Sequence, residues 1–146
     1  MKACFADSNI VVYANDRNAG AKQTVAIELL TRLMRGQNGF VSVQVLQEYA
    51  NTALTKLNQE PAVVLRQLRH LERLTVLAPS PKTVRRAVEI RGTYQVGSWD
   101  ASIIAAAESA DCDVIFSEDL NTGQYYAGVE VVNPFSPGFD LSLYVQ

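Results

Sequence analysis

Three aspartates in this sequence occupy positions where a carboxylate could take part in chemistry. Asp7 and Asp119 each follow a short apolar run typical of a buried strand, while Asp100 falls in the first turn of a predicted helix. At about 100° per residue, Asp100 shares a helical stripe with Ile103 and Ile104, so it begins the face that should be buried. A buried charge requires compensation from a dipole, a hydrogen-bond donor or a bound cation.

These positions predict a cluster of carboxylates if the strands are parallel, because carboxyl ends of parallel strands meet at one edge of a sheet. Two ionised carboxylates about 4 Å apart repel by roughly 4 kcal/mol at an effective dielectric constant of about 20. Such a cluster therefore shares protons or holds a divalent cation, and without metal we expect a raised pKa for at least one member. Oxygen-only ligation favours Mg²⁺ or Mn²⁺ over zinc. An isolated aspartate is more often a turn or cap residue, but three converging ones favour a site.

The elements that must position these acids alternate between strand and helix patterns. This alternation predicts an α/β fold with three layers, α/β/α, around a central and mostly parallel sheet. The predicted strands are residues 3–6, 40–43, 75–77, 114–116 and 129–132. The predicted helices are residues 8–14, 22–34, 44–57 and 81–91, one beginning at Pro61 and one beginning near Asp100. Ser8 or Asn9 is the expected N-cap of the first helix, and Ser98 that of the last.

The predicted helix 44–57 also carries an acid, Glu48. Its expected apolar stripe consists of Leu46, Ala50, Ala53, Leu54 and Leu57. Glu48 lies on the opposite side of that stripe, so periodicity alone predicts a solvated surface residue.

The helix that begins at Pro61 carries a basic stripe, which we define as Arg66, Arg69, His70 and Arg73. Its spacing fits either the solvated face of an amphipathic helix or a contact with a polyanion or an acidic partner. His70 is the only histidine, and its place on this exposed stripe argues against a catalytic role.

Composition narrows the class of protein. With 146 residues, 48% of them hydrophobic, and no low-complexity tract, we expect one domain spanning 1–146. No apolar run approaches the ~18 residues needed to cross a bilayer, and no signal peptide is evident, so we expect a cytoplasmic protein. Cys4 and Cys112 lack metal-ligand spacing and are expected to be buried free thiols. Trp99 and Tyr94, which flank Asp100, are expected to be packing residues.

Four blocks of sequence resemble a known family. They are DSNIVVYA from Asp7, SVQVLQEYANTALTK around Glu48, GSWDASIIAAAESADCDVIFSEDLNTGQ from Gly97 and GVEVVNPF from Gly128. Together they resemble the PIN domain, in particular the VapC-type toxins of bacterial toxin–antitoxin pairs. The departures are small: Ser8 stands where threonine is frequent, and Ser98-Trp99 where Tyr-Trp is common.

The resemblance implies a PIN-like fold and a set of site residues. The four implied catalytic acids are Asp7, Glu48, Asp100 and Asp119, with Ser117 and Asn9 as supporting side chains. For Glu48 this contradicts the surface position that periodicity predicts.

The implied activity is that of a metal-dependent endoribonuclease. Asp7, Asp100 and Asp119 would hold Mg²⁺ or Mn²⁺, and Glu48 would hold or deprotonate the attacking water. The implied substrate is RNA, such as a transfer RNA. The implied partners are a VapB-type antitoxin and a second copy of the chain, with no membrane contact.

Two other classes of function stay open at this stage. A phosphoaspartyl fold also gathers acids at strand ends, but it needs a lysine on a later strand edge and, in the phosphatases, a second aspartate near Asp7. Neither is present in the expected places. A non-catalytic RNA-binding or protein-interaction module on the same fold is the alternative to the nuclease.

Overall fold

The centre of the molecule is a six-stranded sheet, seen in a computed structural model that describes residues 1–145. The strands are β1 (Cys4–Ala6), β2 (Gly39–Ser42), β3 (Thr75–Leu77), β4 (Val114–Phe116), β5 (Tyr125–Tyr126) and β6 (Val129–Val132). Their order in the sheet is β3-β2-β1-β4-β6-β5. All neighbouring pairs are parallel except β5 and β6. The predicted α/β fold with a mostly parallel sheet is confirmed.

Six helices connect and cover these strands. They are α1 (Ser8–Ala14), α2 (Ala21–Gly36), α3 (Val43–Thr55), α4 (Pro61–Leu71), α5 (Pro81–Tyr94) and α6 (Ser98–Ser109). The first four pack against one another, and α5 packs against α6. Because crossovers between parallel strands are right-handed and the chain reverses its direction across the sheet after β3, the two groups cover opposite faces.

The strands next to the site are buried on both faces. Every residue of β1 and β4 is buried, as expected for the continuous apolar runs at these positions. Residues 101 and 103–107 of α6 are also buried, which places most of this alanine-rich helix in the core. In residues 1–145, no helix is long and apolar enough to cross a membrane.

The strand order creates a crevice at the carboxyl ends of β1 and β4. From β1 the chain moves outward to β2 and β3, and then returns to place β4 on the other side of β1. Ala6, the last residue of β1, is paired with Phe116, the last residue of β4. Ligands of open α/β sheets bind at such switch points.

Candidate active site

Asp7 lies at the bottom of this crevice. Its backbone N–H donates to the carbonyl of Phe116 at 3.0 Å, which fixes the residue between β1 and β4. The residue is 4% exposed, and its Oδ1 accepts a hydrogen bond of 2.7 Å from the N–H of Ser8. Asp7 is therefore itself the N-cap of α1, and the prediction that Ser8 or Asn9 caps this helix is wrong. The backbone of Asp7 is still extended, as is usual for an N-cap residue, and this conformation lets its side chain accept a hydrogen bond from the first turn of α1.

Ser117 connects Asp7 to the loop after β4. Its hydroxyl is fully buried, donates to Asp7 Oδ2 at 2.8 Å and accepts from the N–H of Asp119 at 3.1 Å. Asn9 makes a second connection, because its Nδ2 lies 3.1 Å from Asp119 Oδ2 and 3.4 Å from Asp7 Oδ2. The two supporting residues named from the sequence thus join the two aspartates.

Glu48 reaches the same crevice from α3. Its Oε2 accepts a hydrogen bond of 2.6 Å from the hydroxyl of Ser8, and its Oε1 accepts one of 2.8 Å from Gln44 Nε2. The same Gln44 amide lies 3.4 Å from the backbone carbonyl of Trp99, so it also touches the start of α6. The sequence did not single out Gln44, and only its position one turn before Glu48 could have suggested this role.

The surface position that periodicity predicted for Glu48 is wrong. The buried stripe of α3 consists of Val45, Tyr49 and Ala53, whereas Leu54 is exposed. The predicted stripe followed the leucines and was displaced by about one residue around the helix. Glu48 lies beside the true stripe and is half-buried.

Asp100 enters the crevice from the first turn of α6 and is half-buried. The N-cap of α6 is Gly97, which makes no side-chain capping bond, so the predicted Ser98 cap is wrong. The Ser98 hydroxyl instead accepts a hydrogen bond from Arg91 on α5. The expected burial of Ile103 and Ile104 on the face that Asp100 begins is confirmed.

The electrostatics join all four acids. Burial raises the pKa of the Asp7 carboxyl to about 6; the charges of Asp119 and Glu48 act in the same direction, and hydrogen bonds from Ser117 and Ser8 oppose them. Burial also raises the pKa of Asp100, again assisted by Asp119 and Glu48. The raised pKa expected from the sequence is present, but desolvation contributes more to it than repulsion does.

Within residues 1–145, no basic side chain forms a salt bridge with any of the four acids. The ion pairs found within residues 1–145 are Lys22–Glu118 and Arg86–Glu108, and neither includes one of the four acids. The crevice therefore combines a buried carboxylate with like charges around it, an arrangement that a divalent cation would relieve.

The donor set fits Mg²⁺ or Mn²⁺, which prefer oxygen ligands. Within the described part of the chain, no three acidic, histidine or cysteine side chains converge closely enough to enclose an ion by themselves. Mg²⁺ commonly keeps several water ligands and binds the protein through only one or two carboxylates. An open arrangement of acids around Asp7 is compatible with this coordination.

The aromatic residues beside Asp100 behave differently from each other. Tyr94 packs edge-on against Tyr126 with ring centroids 5.2 Å apart, and its hydroxyl accepts a hydrogen bond from the N–H of Ala127. The packing role expected for Tyr94 is confirmed. Trp99, however, is 71% exposed, so the packing role expected for it is wrong.

Within residues 1–145, no salt bridge joins the basic stripe to the four acids. All four of its members are exposed, and His70 borders a groove between α4 and α2. The helix ends at Leu71, so Arg73 lies beyond it and the stripe continues into the turn before β3.

Cys4 and Cys112 are buried and unpaired, as expected.

Solved structures of other proteins share this fold. A toxin–antitoxin complex from Klebsiella pneumoniae contains a chain with a TM-score of 0.69 and 21% identity, covering 90% of this chain and 98% of that one. A chain of DNA-bound VapBC from Salmonella typhimurium has a TM-score of 0.66 and 20% identity, covering 90% and 97%. VapC20 from Mycobacterium tuberculosis, described as a toxin that cleaves the sarcin–ricin loop, has a TM-score of 0.65 and 19% identity, covering 80% and 91%. At these identities the likeness shows the fold alone.

Comparison with curated protein sequences finds no match. The sequence profile of the PIN domain, in contrast, matches residues 4–127. The match extends from β1 through β5, includes all four acids of the crevice and stops before the closing strand β6. The chain belongs to the PIN domain family.

Proposed function

We propose that this protein is an endoribonuclease that depends on Mg²⁺ or Mn²⁺ and hydrolyses phosphodiester bonds of RNA. The observation that carries the proposal is the crevice at β1 and β4, where the charges of Asp119 and Glu48 act on both Asp7 and Asp100 and burial raises the pKa of Asp7 to about 6. No salt bridge within residues 1–145 includes any of these four acids. Membership of the PIN family supports the same activity.

The side chains divide the work. Asp7, Asp100 and Asp119 would hold the cation, with Asn9 and Ser117 fixing the orientation of the first and last of these carboxylates. Bound there, the cation would lower the pKa of an attacking water and neutralise charge developing on the phosphate.

Glu48 is the candidate for handling the attacking water. Its two oxygens already accept hydrogen bonds from Ser8 and Gln44, which fixes the direction in which the remaining lone pairs point. A carboxylate fixed in this way can orient a water molecule and accept its proton.

We further propose that the protein is the toxin of a VapBC-type pair, controlled by a VapB-type antitoxin. The support is the fold shared with VapBC and with VapC20, whose described target is an RNA loop. A single-stranded or looped RNA, such as a transfer RNA, is the substrate class that we propose. Two buried, unpaired cysteines agree with a reducing compartment such as the cytoplasm.

A homodimer is also part of the proposal. Val84 and Val88 on α5 and Trp99 on α6 are large apolar side chains that remain exposed. Val84 and Trp99 line the same cavity, and Val88 follows Val84 by one helical turn, so these side chains belong to one region of the surface, where a second copy could bury them. A cavity beside Trp99 is lined by Val43, Leu77 and Ala106 among others, which adds to the apolar character of this region.

The basic stripe is proposed to contact RNA phosphates or the antitoxin. Its arginines are exposed, in a chain whose net charge is −2. Reversing Arg69 and Arg73 to Glu should weaken binding and reduce its dependence on salt, since fewer counterions are released. If the affinity for RNA and antitoxin and its dependence on salt are both unchanged, the basic stripe is only the solvated face of an amphipathic helix.

The decisive experiment is cleavage of RNA by the purified chain, freed of any partner. Cleavage should require Mg²⁺ or Mn²⁺ and stop in EDTA, and sequencing of new 5′ ends in cells after brief induction should identify the RNA that is cut. Full activity in EDTA would exclude the metal mechanism. RNA binding without cleavage, with all four acids intact, would favour the non-catalytic module.

A further inference from the structure

A group of side chains outside the four acids surrounds Glu118, the residue between Ser117 and Asp119. The hydroxyl of Tyr13 donates to Glu118 Oε1 at 2.5 Å, and Lys22 Nζ lies 2.5 Å from Glu118 Oε2. We call Tyr13, Lys22 and Glu118 the Glu118 cluster. It ties α1 and α2 to the loop that follows β4.

The Glu118 cluster connects directly to the site through the backbone. The N–H of Glu118 donates to Asn9 Oδ1 at 3.3 Å, while the amide nitrogen of the same Asn9 side chain contacts the carboxylate of Asp119. The next N–H along the chain, that of Asp119, donates to Ser117 Oγ. A shift of Glu118 would therefore move Asp119 and disturb the contacts of Asn9.

A partly exposed ion pair contributes little to stability by itself, and the side chains of Lys22 and Glu118 are 43% and 25% exposed. This pair, however, is part of a larger network. The ammonium of Lys22 lies 4.9 Å from the ring centroid of Tyr13 and 5.7 Å from that of Phe135, and the two rings meet edge-on. The ammonium of Lys22 thus contacts the carboxylate of Glu118 and two aromatic rings that also contact each other. These contacts restrict the position of the Glu118 side chain.

The charges in this cluster agree with its geometry. Although burial acts in the opposite direction, hydrogen bonds from Lys22 and Tyr13 lower the pKa of Glu118, so it stays ionised. Both oxygens of Glu118 are already engaged, one by Tyr13 and the other by Lys22. Its role toward a cation would thus be indirect.

We propose that the Glu118 cluster positions Asp119 for metal binding, with Tyr13, Lys22 and Glu118 acting as positioning residues. This inference rests on the proposed metal-dependent nuclease. It assigns the segment Ser117–Asp119 a further task, since its middle residue anchors the loop from outside while its ends face the crevice.

The test compares Lys22→Met with Glu118→Gln by calorimetric titration of Mn²⁺. The two variants remove charges of opposite sign near the acids. A purely Coulombic effect would strengthen Mn²⁺ binding in Lys22→Met and weaken it in Glu118→Gln. Positioning predicts that both variants weaken Mn²⁺ binding, by about tenfold as for other residues that orient metal ligands.

Three further variants sharpen this result. Lys22→Arg keeps a cation that can pair with Glu118 and stack on Tyr13, so it should restore most of the affinity. The double variant Lys22→Met/Glu118→Gln should lose no more than either single one, because both break the same network. Glu108→Gln breaks the other ion pair, Arg86–Glu108, and should bind Mn²⁺ like the wild type.

A second measurement needs no metal. Amide hydrogen exchange at Glu118 and Asp119 in EDTA should be several-fold faster in Lys22→Met and Glu118→Gln than in Glu108→Gln. Opposite shifts in Mn²⁺ affinity, or unchanged exchange at these two amides, would overturn the inference. If the wild type itself binds no Mn²⁺ while exchange responds as expected, the proposed function fails and the cluster keeps only the task of holding the loop.

Discussion

Two aspartates at opposite ends of the same pair of strands show how position changes the meaning of a residue. Asp113 precedes β4 and is exposed, and its Oδ2 accepts a hydrogen bond of 2.8 Å from the N–H of Ala3 next to β1. Asp7 follows β1, is buried, and has other carboxylates as neighbours. The first acid joins two distant chain segments at an exposed position. The second is buried in the crevice, where its hydrogen bonds do not offset burial and the like charges near it.

The amino end of the strands also contains a buried polar group, Asn38. Its Nδ2 donates to the carbonyls of Lys2 and Tyr144 at 2.7 and 3.2 Å, so a neutral amide joins two chain segments. Comparison of the two ends teaches that burial of a polar side chain is not enough to indicate a site. The carboxyl end differs because its buried group is charged and the groups around it repel it.

The largest expected effect concerns activity, with one carboxylate converted to an amide at each end of the sheet. Asp100→Asn should reduce kcat/KM for RNA cleavage by roughly 100- to 1,000-fold, because it weakens a metal ligand in the transition state. Asp113→Asn, the same change at the other end, should leave cleavage within about twofold of the wild type. Similar losses in both variants would remove the functional distinction between the two ends.

The next effect is a dependence of stability on pH that belongs to Asp7. Its pKa is about 6 in the folded protein, against about 3.9 in an unfolded chain. The folded state therefore binds the proton more tightly, so the stability that Asp7 contributes is present below about pH 4 and is lost as the pH rises to about 6. Relative to Asp7→Asn, wild type in EDTA should lose roughly 3 kcal/mol of unfolding free energy across this range.

Urea unfolding of wild type and Asp7→Asn at several pH values measures this difference. Burial also raises the pKa of Asp100, but both proteins keep this residue, so its contribution largely cancels from the difference. A stability difference that stays flat between pH 4 and 6 would contradict this prediction, because it would mean that the pKa of Asp7 is not raised in the folded protein.

The sheet could be predicted from the sequence because the signals for its strands are local. Strands β3, β4 and β6 have the predicted bounds, and β1 and β2 agree with them to within a residue. Edge strand β5 was missed. It pairs with β6 through a turn at Ala127 and Gly128, whose φ angles are 50° and 82°. Asparagine or aspartate usually marks the first position of such a turn, and alanine gives no signal there.

The candidate site was predictable only in part. Asp7 and Asp119 follow from the apolar runs before them, because the end of a buried strand determines where the next side chain lies. Glu48 could not be placed by helical periodicity, since Val45 and Tyr49 carry the buried stripe where the leucines were expected to. The contact of Gln44 with both Glu48 and Trp99 depends on the packing of α3 against the start of α6, and no local pattern encodes that distance.

The smallest expected effect is stabilisation by metal, and it sharpens the comparison without any substrate. Mn²⁺ at about 100 times its dissociation constant should stabilise the folded wild type by about 2.7 kcal/mol, because it binds the folded state alone. Asp113→Asn should show the same gain. Asp100→Asn should show a smaller gain while its apo form is at least as stable as the wild type, since one charge has left the crevice. Thermal unfolding of the wild type and both variants, with EDTA and with Mn²⁺ at matched ionic strength, measures this stabilisation. If Mn²⁺ stabilises Asp100→Asn as much as it stabilises the wild type, the metal does not bind at Asp100.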